Sequence, residues 1–174
     1  MTAELRFHLV PAADIAVAFE LECAGYPADE AATYDKLVYR QKHAPELFLG
    51  AYIPLDTNDR GKLIGFVVGT QCRGTLSHES MSDHDNQGET ICIHSVCVDA
   101  GYRRQRVASR LLDAYYERAT ELVKDGQCKT ERIQLLAHTE LSELYEKCGY
   151  RSLGVSDVVH GGKPWLLFER KVPE

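Results

Sequence analysis

The run Thr90 to Val98 is rich in β-branched residues and leads into Tyr102-Arg103-Arg104-Gln105-Arg106-Val107-Ala108-Ser109, a turn that opens a helix. A strand feeding a tight turn into a helix start presents unpaired backbone N–H groups and the positive end of the helix dipole. Ala108 and Ser109 are small enough to let a ligand approach the backbone, and the arginines of the turn do not belong in a core. This is a diphosphate site by its chemistry; the plainer reading is a solvated basic helix start. Cys92 and His94 stand two residues apart on the strand, so they share one face. His94 is there either as a base or as a satisfied buried histidine. His78, Glu79, His84, Asp85 and Cys92 are ligand-type side chains, but their spacing matches no zinc pattern and no metal is expected. Glu79, Asp83, Asp85 and Glu89 make the same segment acidic, either as a solvated loop or as an attraction for a cationic partner.

The elements that must hold these residues follow from the patterning. Leu5 to Val10 alternates as a first strand, and Asp14 to Cys23 has helical spacing through Ile15, Ala18, Phe19 and Leu21. Gly25-Tyr26-Pro27 interrupts, and Asp29 is expected to cap a second helix that runs to about His43 and ends before Pro45. Leu47 to Ile53 and Lys62 to Gln71 read as a hairpin across a polar turn, Asp56 to Gly61. A polar loop, Cys72 to Glu89, precedes the 90–98 strand. A helix from Arg106 to Leu122 follows, then a strand from Glu131 to Ala137 and a short helix from Glu140 to Lys147 with Gly149 as its stop. Strands Tyr150 to Val155 and Trp165 to Lys171 close the chain. The order is β-α-α-β-β-β-α-β-α-β-β, an α/β (α+β) fold with a mixed sheet of about seven strands and helices on both faces.

At 174 residues with 44% hydrophobic and 26% charged residues, the chain reads as one globular domain, 1–174, rather than a disordered or collagenous one. No apolar run reaches the length of a membrane span, and Met1 to Val10 lacks the pattern of a secretory signal. A net charge of −6 disfavours nonspecific nucleic-acid or anionic-lipid binding. The six cysteines form no C-x-x-C pair and read as reduced core thiols, which suits a cytoplasmic setting.

The chain also resembles the GNAT superfamily of N-acetyltransferases, and within it the arylalkylamine (serotonin) N-acetyltransferases, especially fungal members, some of which acetylate polyamines. The segments that carry the resemblance are Phe19-Glu20-Leu21-Glu22, Pro45 to Gly50, Leu76-Ser77-His78-Glu79-Ser80-Met81 and Ile93 to Val98, followed by Tyr102 to Gln105 and Leu144 to Tyr150. The resemblance implies a GNAT-like, mostly antiparallel sheet and acetyl-CoA as cosubstrate. The main chain of Val96, Cys97 and Val98 would hold the pantetheine arm like an added strand. The loop Arg103, Arg104, Gln105, Arg106, Val107, Ala108 and Ser109 would carry the pyrophosphate on residues 104–109. The family loop is Q/R-x-x-G-x-G/A, and Arg106 stands at its first glycine, which a backbone donor tolerates if φ stays negative.

Residue roles follow from the same resemblance. Cys92 and His94 match a pair of histidines, so a single imidazole remains. An alkyl ammonium of pKa about 10.4 facing an imidazole near 6.5 makes direct transfer uphill by about 5 kcal/mol. His94 is therefore expected to act through water on an amine the site has begun to desolvate. Glu22 is a second relay, an amine-orienting carboxylate, or an exposed helical glutamate. Tyr145 matches the tyrosine that protonates or hydrogen-bonds the departing thiolate; otherwise it is a core aromatic. Tyr26 and Pro27 match a substrate-covering loop, and Cys92 and Leu136 substrate-lining positions. The resulting expectation is an enzyme acetylating a small amine, arylalkylamine or polyamine, by direct attack in a ternary complex. A non-catalytic acetyl-CoA-binding module and a protein or peptide N-acetyltransferase are the alternatives.

Overall fold

The computed structural model describes residues 4–55 and 60–174. Most of the polar turn expected over Asp56 to Gly61 lies outside the described residues. The chain runs β1 (Arg6–Leu9), α1 (Ile15–Gly25), α2 (Tyr34–His43), β2 (Phe48–Ile53), β3 (Lys62–Cys72), β4 (Thr90–Val98), α3 (Val107–Lys124), β5 (Arg132–Ala137), α4 (Ser142–Lys147), β6 (Arg151–Val155) and β7 (Leu166–Lys171). The strands form one seven-stranded sheet in the order β1-β2-β3-β4-β5-β7-β6. Pairing is antiparallel for β1–β2, β2–β3, β5–β7 and β6–β7, and parallel for β4–β5. Element order, strand number and mixed pairing are those read from the sequence.

By its contacts the chain divides into two compact units, Met1–Val68 with Ser95–Tyr115, and Gly69–His94 with Tyr116–Glu174. In the first, α1 turns Ile15, Ala18, Leu21 and Glu22 inward, the spacing of a single helix face. Ile15, Ala18 and Leu21 share a buried cluster with Phe48 and Phe66, fully buried on β2 and β3 with ring centroids 5.4 Å apart. Burying each such ring contributes roughly 1.5–3 kcal/mol. The Tyr115 hydroxyl donates to the Leu47 carbonyl at 3.0 Å and fixes α3 to the turn before β2.

One expected helix start moves. α2 begins at Tyr34, not after Asp29, and its cap is Thr33, whose hydroxyl accepts from the Lys36 N–H at 3.2 Å. The Pro27 carbonyl accepts the amides of Glu30 and Ala31, both at 2.9 Å, so that stretch is spent on a turn.

In the second unit β4 pairs with β5 from Thr90↔Arg132 to Ile93↔Leu135, and β5 with β7 from Arg132↔Lys171 to Ala137↔Leu166. A compact cluster of Cys72, Leu76, Cys92 and Val158 is packed against by Met81, Leu136 and Leu167. The expected loop over 72–89 holds a short 3-10 turn, Glu79–Ser82. Gly149, at φ +88°, ends α4 as expected. Its N–H reaches the Glu146 carbonyl at 3.1 Å and the Tyr150 N–H reaches the Tyr145 carbonyl at 3.0 Å. Those two bonds are a Schellman cap, and its accompanying apolar contact is the edge-on Tyr145–Tyr150 pair at 6.1 Å.

Candidate active site

Within the first unit, α1 delivers Glu22 to β4. Glu22 is fully buried, so it is not the exposed helical glutamate that sequence allows. The Ser95 hydroxyl donates a short hydrogen bond to one of its oxygens, and the Cys97 thiol lies 3.6 Å from the other. Burial pushes the carboxyl above its ordinary value against the pull of Ser95, Cys97, the Arg40 charge and the Ala32 amide. Arg40 is itself 3% exposed, and burial holds its guanidinium down to about 10, with Glu22 opposing.

The raised carboxyl has a stability signature. An acid whose folded pKa exceeds its unfolded value binds more protons folded than unfolded, so stability declines as pH rises from about 4.3 through the raised value. Glu22→Gln is expected to flatten that part of a plot of urea midpoint against pH. An unchanged slope would mean the titration belongs to another group.

Tyr26, the first residue after α1, brings its hydroxyl to the main chain of β4. It donates to the Val96 carbonyl at 3.3 Å and accepts from the Val96 N–H at 3.2 Å. Tyr26 is half-buried against the core, while Pro27 beside it is exposed. Val96 and Val98 are half-buried and Cys97 is buried.

The turn into α3 departs from expectation. Arg104 and Arg106 have φ of +65° and +60°, the left-handed region, so φ does not stay negative where the family has glycine. Arg103 before them is extended, so the chain reverses sharply over these residues just ahead of the first amides of α3. Arg103, Arg104 and Arg106 are exposed, Gln105, Ala108 and Ser109 are half-buried, and Val107 is buried. The Arg106 carbonyl accepts the Arg110 N–H at 3.0 Å, so the helix starts here and leaves its first amides facing the turn.

The left-handed well costs an L-residue about 1–2 kcal/mol. Glycine's extra unfolded-state entropy offsets about 0.5–1 kcal/mol of any relief. Arg106→Gly is therefore expected to raise stability by a few tenths to about 1 kcal/mol, read as a higher urea midpoint. A lower midpoint would show that the arginine side chain contributes more than its backbone costs.

In the second unit, His94 is half-buried on β4 and its Nε2 lies 2.7 Å from the Thr70 hydroxyl of β3. The next contact between these strands on that face is Cys72 Sγ to Cys92 Sγ, at 3.1 Å. Cys92 is fully buried, in the cluster with Leu76 and Val158 that Leu136 packs against. Leu76 and Val158 also line a cavity of about 380 Å³, together with Thr75, Ser77, His78, Val155, Ser156, Asp157 and Leu167. Its lining mixes four aliphatic side chains with five polar ones: three hydroxyls, one imidazole and one carboxylate.

Tyr145 is buried, packed 5.5 Å from Phe168 and edge-on to Tyr150. It occupies the second half of α4. Three of the four acidic loop residues are already engaged, and Asp83 accepts the His84 N–H at 2.8 Å. Asp85 pairs with Arg73 at 2.7 Å, and Glu89 accepts the Gly74 N–H at 2.5 Å, and these contacts hold both carboxyls below the usual range. His84 accepts the Gln71 N–H at 3.0 Å. Among the described residues no three His, Cys, Asp or Glu side chains converge on a metal position.

Each of the three candidate proton carriers thus has its own surroundings. Glu22 meets β4 through Ser95 and Cys97, residues that alternate with the face holding Cys92 and His94. Sequence reading missed Thr70, Ser95 and Arg40. Thr70 stands two before Cys72 on an apolar strand, and Arg40 three after Leu37 on a helix, so their faces were legible but their partners were not.

A family model described as Acetyltransferase (GNAT) family matches residues 15–150. Serotonin N-acetyltransferase of Mesocricetus auratus is 29% identical over 123 residues, 70% of this chain and 54% of that protein. The chain therefore spans about half the length of this curated relative. Among solved structures, the loading GNATL domain of CurA from Lyngbya majuscula aligns with a TM-score of 0.79 at 10% identity, over 97% of this chain and 98% of that one. The structure of yncA from Salmonella typhimurium with its cofactor acetyl-CoA aligns with a TM-score of 0.66 at 14% identity, over 99% and 96%. At these identities the structural likeness is one of fold.

Proposed function

The chain belongs to the acetyltransferase (GNAT) family, and from that premise we propose that it acetylates the primary amine of a small arylalkylamine, using acetyl-CoA. The observation that carries the reading is the seat of His94. Thr70 orients its imidazole at 2.7 Å, and its face-mate Cys92 belongs to a cluster that shares Leu76, Val158 and Leu167 with the lining of an amine-sized cavity. The four aliphatic side chains suit an apolar body, and the single carboxylate, Asp157, suits one ammonium better than the several charges of a polyamine. The serotonin N-acetyltransferase relative supports the same substrate class. The family match runs through both units, which supports reading 1–174 as one catalytic domain. The five buried thiols support a reducing, cytoplasmic setting.

The residues present fit the cosubstrate. The basic turn at Arg104 and Arg106 and the first amides of α3 suit a diphosphate. The Val96 N–H and carbonyl, bridged by a single hydroxyl rather than by a neighbouring strand, suit an amide-bearing arm. Acetyl-CoA supplies a thioester, whose acetyl group passes to nitrogen while the thiol leaves. His94 takes the amine proton through water, and Tyr145 donates to the departing sulfur. A phenol near 10 facing a thiol near 8.5 is uphill by about 2 kcal/mol for full transfer, so a hydrogen bond provides much of the benefit.

Tyr26 competes for the Val96 groups in this scheme. Tyr26→Phe is expected to tighten acetyl-CoA about fivefold by calorimetry, the worth of a net hydrogen bond of about 1 kcal/mol. Weaker binding would mean that Tyr26 shapes the strand for the cosubstrate instead.

The deciding assay is CoA release from acetyl-CoA with tryptamine, phenethylamine, spermine or a lysine-bearing peptide. Release at least tenfold faster with the aryl amines supports the proposal, and faster release with spermine moves the substrate to polyamines. Preference for the peptide identifies a protein acetyltransferase. Acetyl-CoA binding without release by any amine identifies a binding module.

A further inference from the structure

We propose that Cys72 and Cys92 form a modification site: peroxide converts the pair to a disulfide that ties β3 to β4 beside His94 and slows turnover. The consequence for turnover rests on the acetyltransferase reading above; the disulfide itself does not. The two thiols sit 3.1 Å apart, on neighbouring strands, 7% and 0% exposed. A disulfide bond is about 2.0 Å long, so the sulfurs must close by about 1 Å. Ser80 Oγ lies 3.9 Å from Cys92 Sγ, so the pair also has a hydroxyl neighbour. Leu76 and Val158 belong to the same buried cluster as both thiols and also line the cavity, so the pair lies behind side chains of the cavity wall. A peroxide is little larger than water and passes such a wall as it breathes.

The chemistry has a direction. Its hydrogen bond with Cys92 holds the Cys72 thiol below its ordinary value, whereas Cys92 is held above it, first by that same bond and then by burial. Cys72 is therefore the attacking thiolate. Its sulfur takes one peroxide oxygen as the O–O bond breaks, leaving a sulfenic acid and a hydroxide that is protonated to water. Cys92 sulfur then attacks the Cys72 sulfur: the S–S bond forms, the S–O bond breaks, and the leaving hydroxide takes the Cys92 proton. Two thiols lose two electrons and two protons, and one peroxide becomes two waters.

The crosslink acts on the adjacent contact. Thr70 precedes Cys72 by two and His94 follows Cys92 by two, so the Thr70–His94 bond at 2.7 Å is the neighbouring link on the same face. Drawing the sulfurs together shifts that link, and a misplacement near 1 Å at a reacting group lowers rates by up to about 10²-fold.

The test treats the whole chain with a small molar excess of hydrogen peroxide, blocks free thiols, and maps unreduced peptides by mass spectrometry beside an acetyl-transfer assay. The expected result is a 72–92 crosslink lighter by two hydrogens, with turnover reduced at least tenfold and both changes reversed by dithiothreitol. Cys72→Ala should form no crosslink and keep its turnover under peroxide. Oxidation of exposed Cys23 with no 72–92 crosslink would overturn the site. A crosslink with undiminished turnover, or equal inactivation of Cys72→Ala, would overturn the control of activity. If no amine is acetylated before oxidation, the acetyltransferase reading has failed, and the peptide map still decides the disulfide.

Discussion

Tyr145→Phe is expected to lower kcat by about 10²-fold while KM changes by less than about twofold, the pattern for losing one donor aimed at charge that develops during reaction. The ring is held by Phe168 at 5.5 Å, by Tyr150 edge-on, and by the Schellman cap at Gly149. Phenylalanine keeps all three, so folding is preserved and a fall in kcat reports the hydroxyl. Tyr150 is the matched control. Its hydroxyl is buried with no hydrogen-bond partner among the described residues, and burial raises its pKa strongly. Tyr150→Phe is expected to stabilise the protein by about 1 kcal/mol, because an unsatisfied buried hydroxyl carries an uncompensated desolvation cost. Its turnover should stay near that of the parent. Steady-state kinetics and a urea titration read both variants, and an unchanged kcat for Tyr145→Phe removes it from the acid role, leaving a core aromatic.

Local patterning carried the fold far because its signals agree with each other. The run Thr90 to Val98 has no competing helical period, and α3 buries Val107, Leu111, Tyr115, Ala119 and Leu122 on the spacing that sequence shows. What sequence left open are choices between equivalent local options. Asp29 and Thr33 are both good caps, and the Pro27 turn decides for Thr33 by using the intervening amides. Arg106 gives no residue-type signal of a positive φ, which the start of α3 imposes on it. Glu22 is more instructive, since it lies four residues after Ala18 and seven after Ile15, on the very face those residues bury. The helical period alone argued for its burial, against the usual preference of its type for solvent. Its compensation by Ser95, Cys97 and Arg40 is tertiary and has no trace in local spacing.

His94→Ala separates a base from a buried structural histidine by the shape of its pH dependence. An alkylamine of pKa about 10.4 is neutral in only a few molecules per ten thousand at pH 7. With an imidazole relay, the enzyme binds the abundant ammonium and removes its proton in place. Without it, the enzyme depends on the scarce free amine, which increases tenfold for each pH unit. The expected loss in kcat/KM is about 10²–10³-fold near neutral pH, the worth of a positioned general base. It should shrink steadily toward pH 10. Thr70→Val is the companion variant: it keeps the side-chain volume but removes the hydroxyl 2.7 Å from Nε2. That change costs orientation rather than the base, so its loss should be smaller and even across pH. If His94→Ala also loses activity evenly from pH 6 to 10, the imidazole serves as the partner of Thr70 between β3 and β4. The proton then leaves by a path that does not use His94.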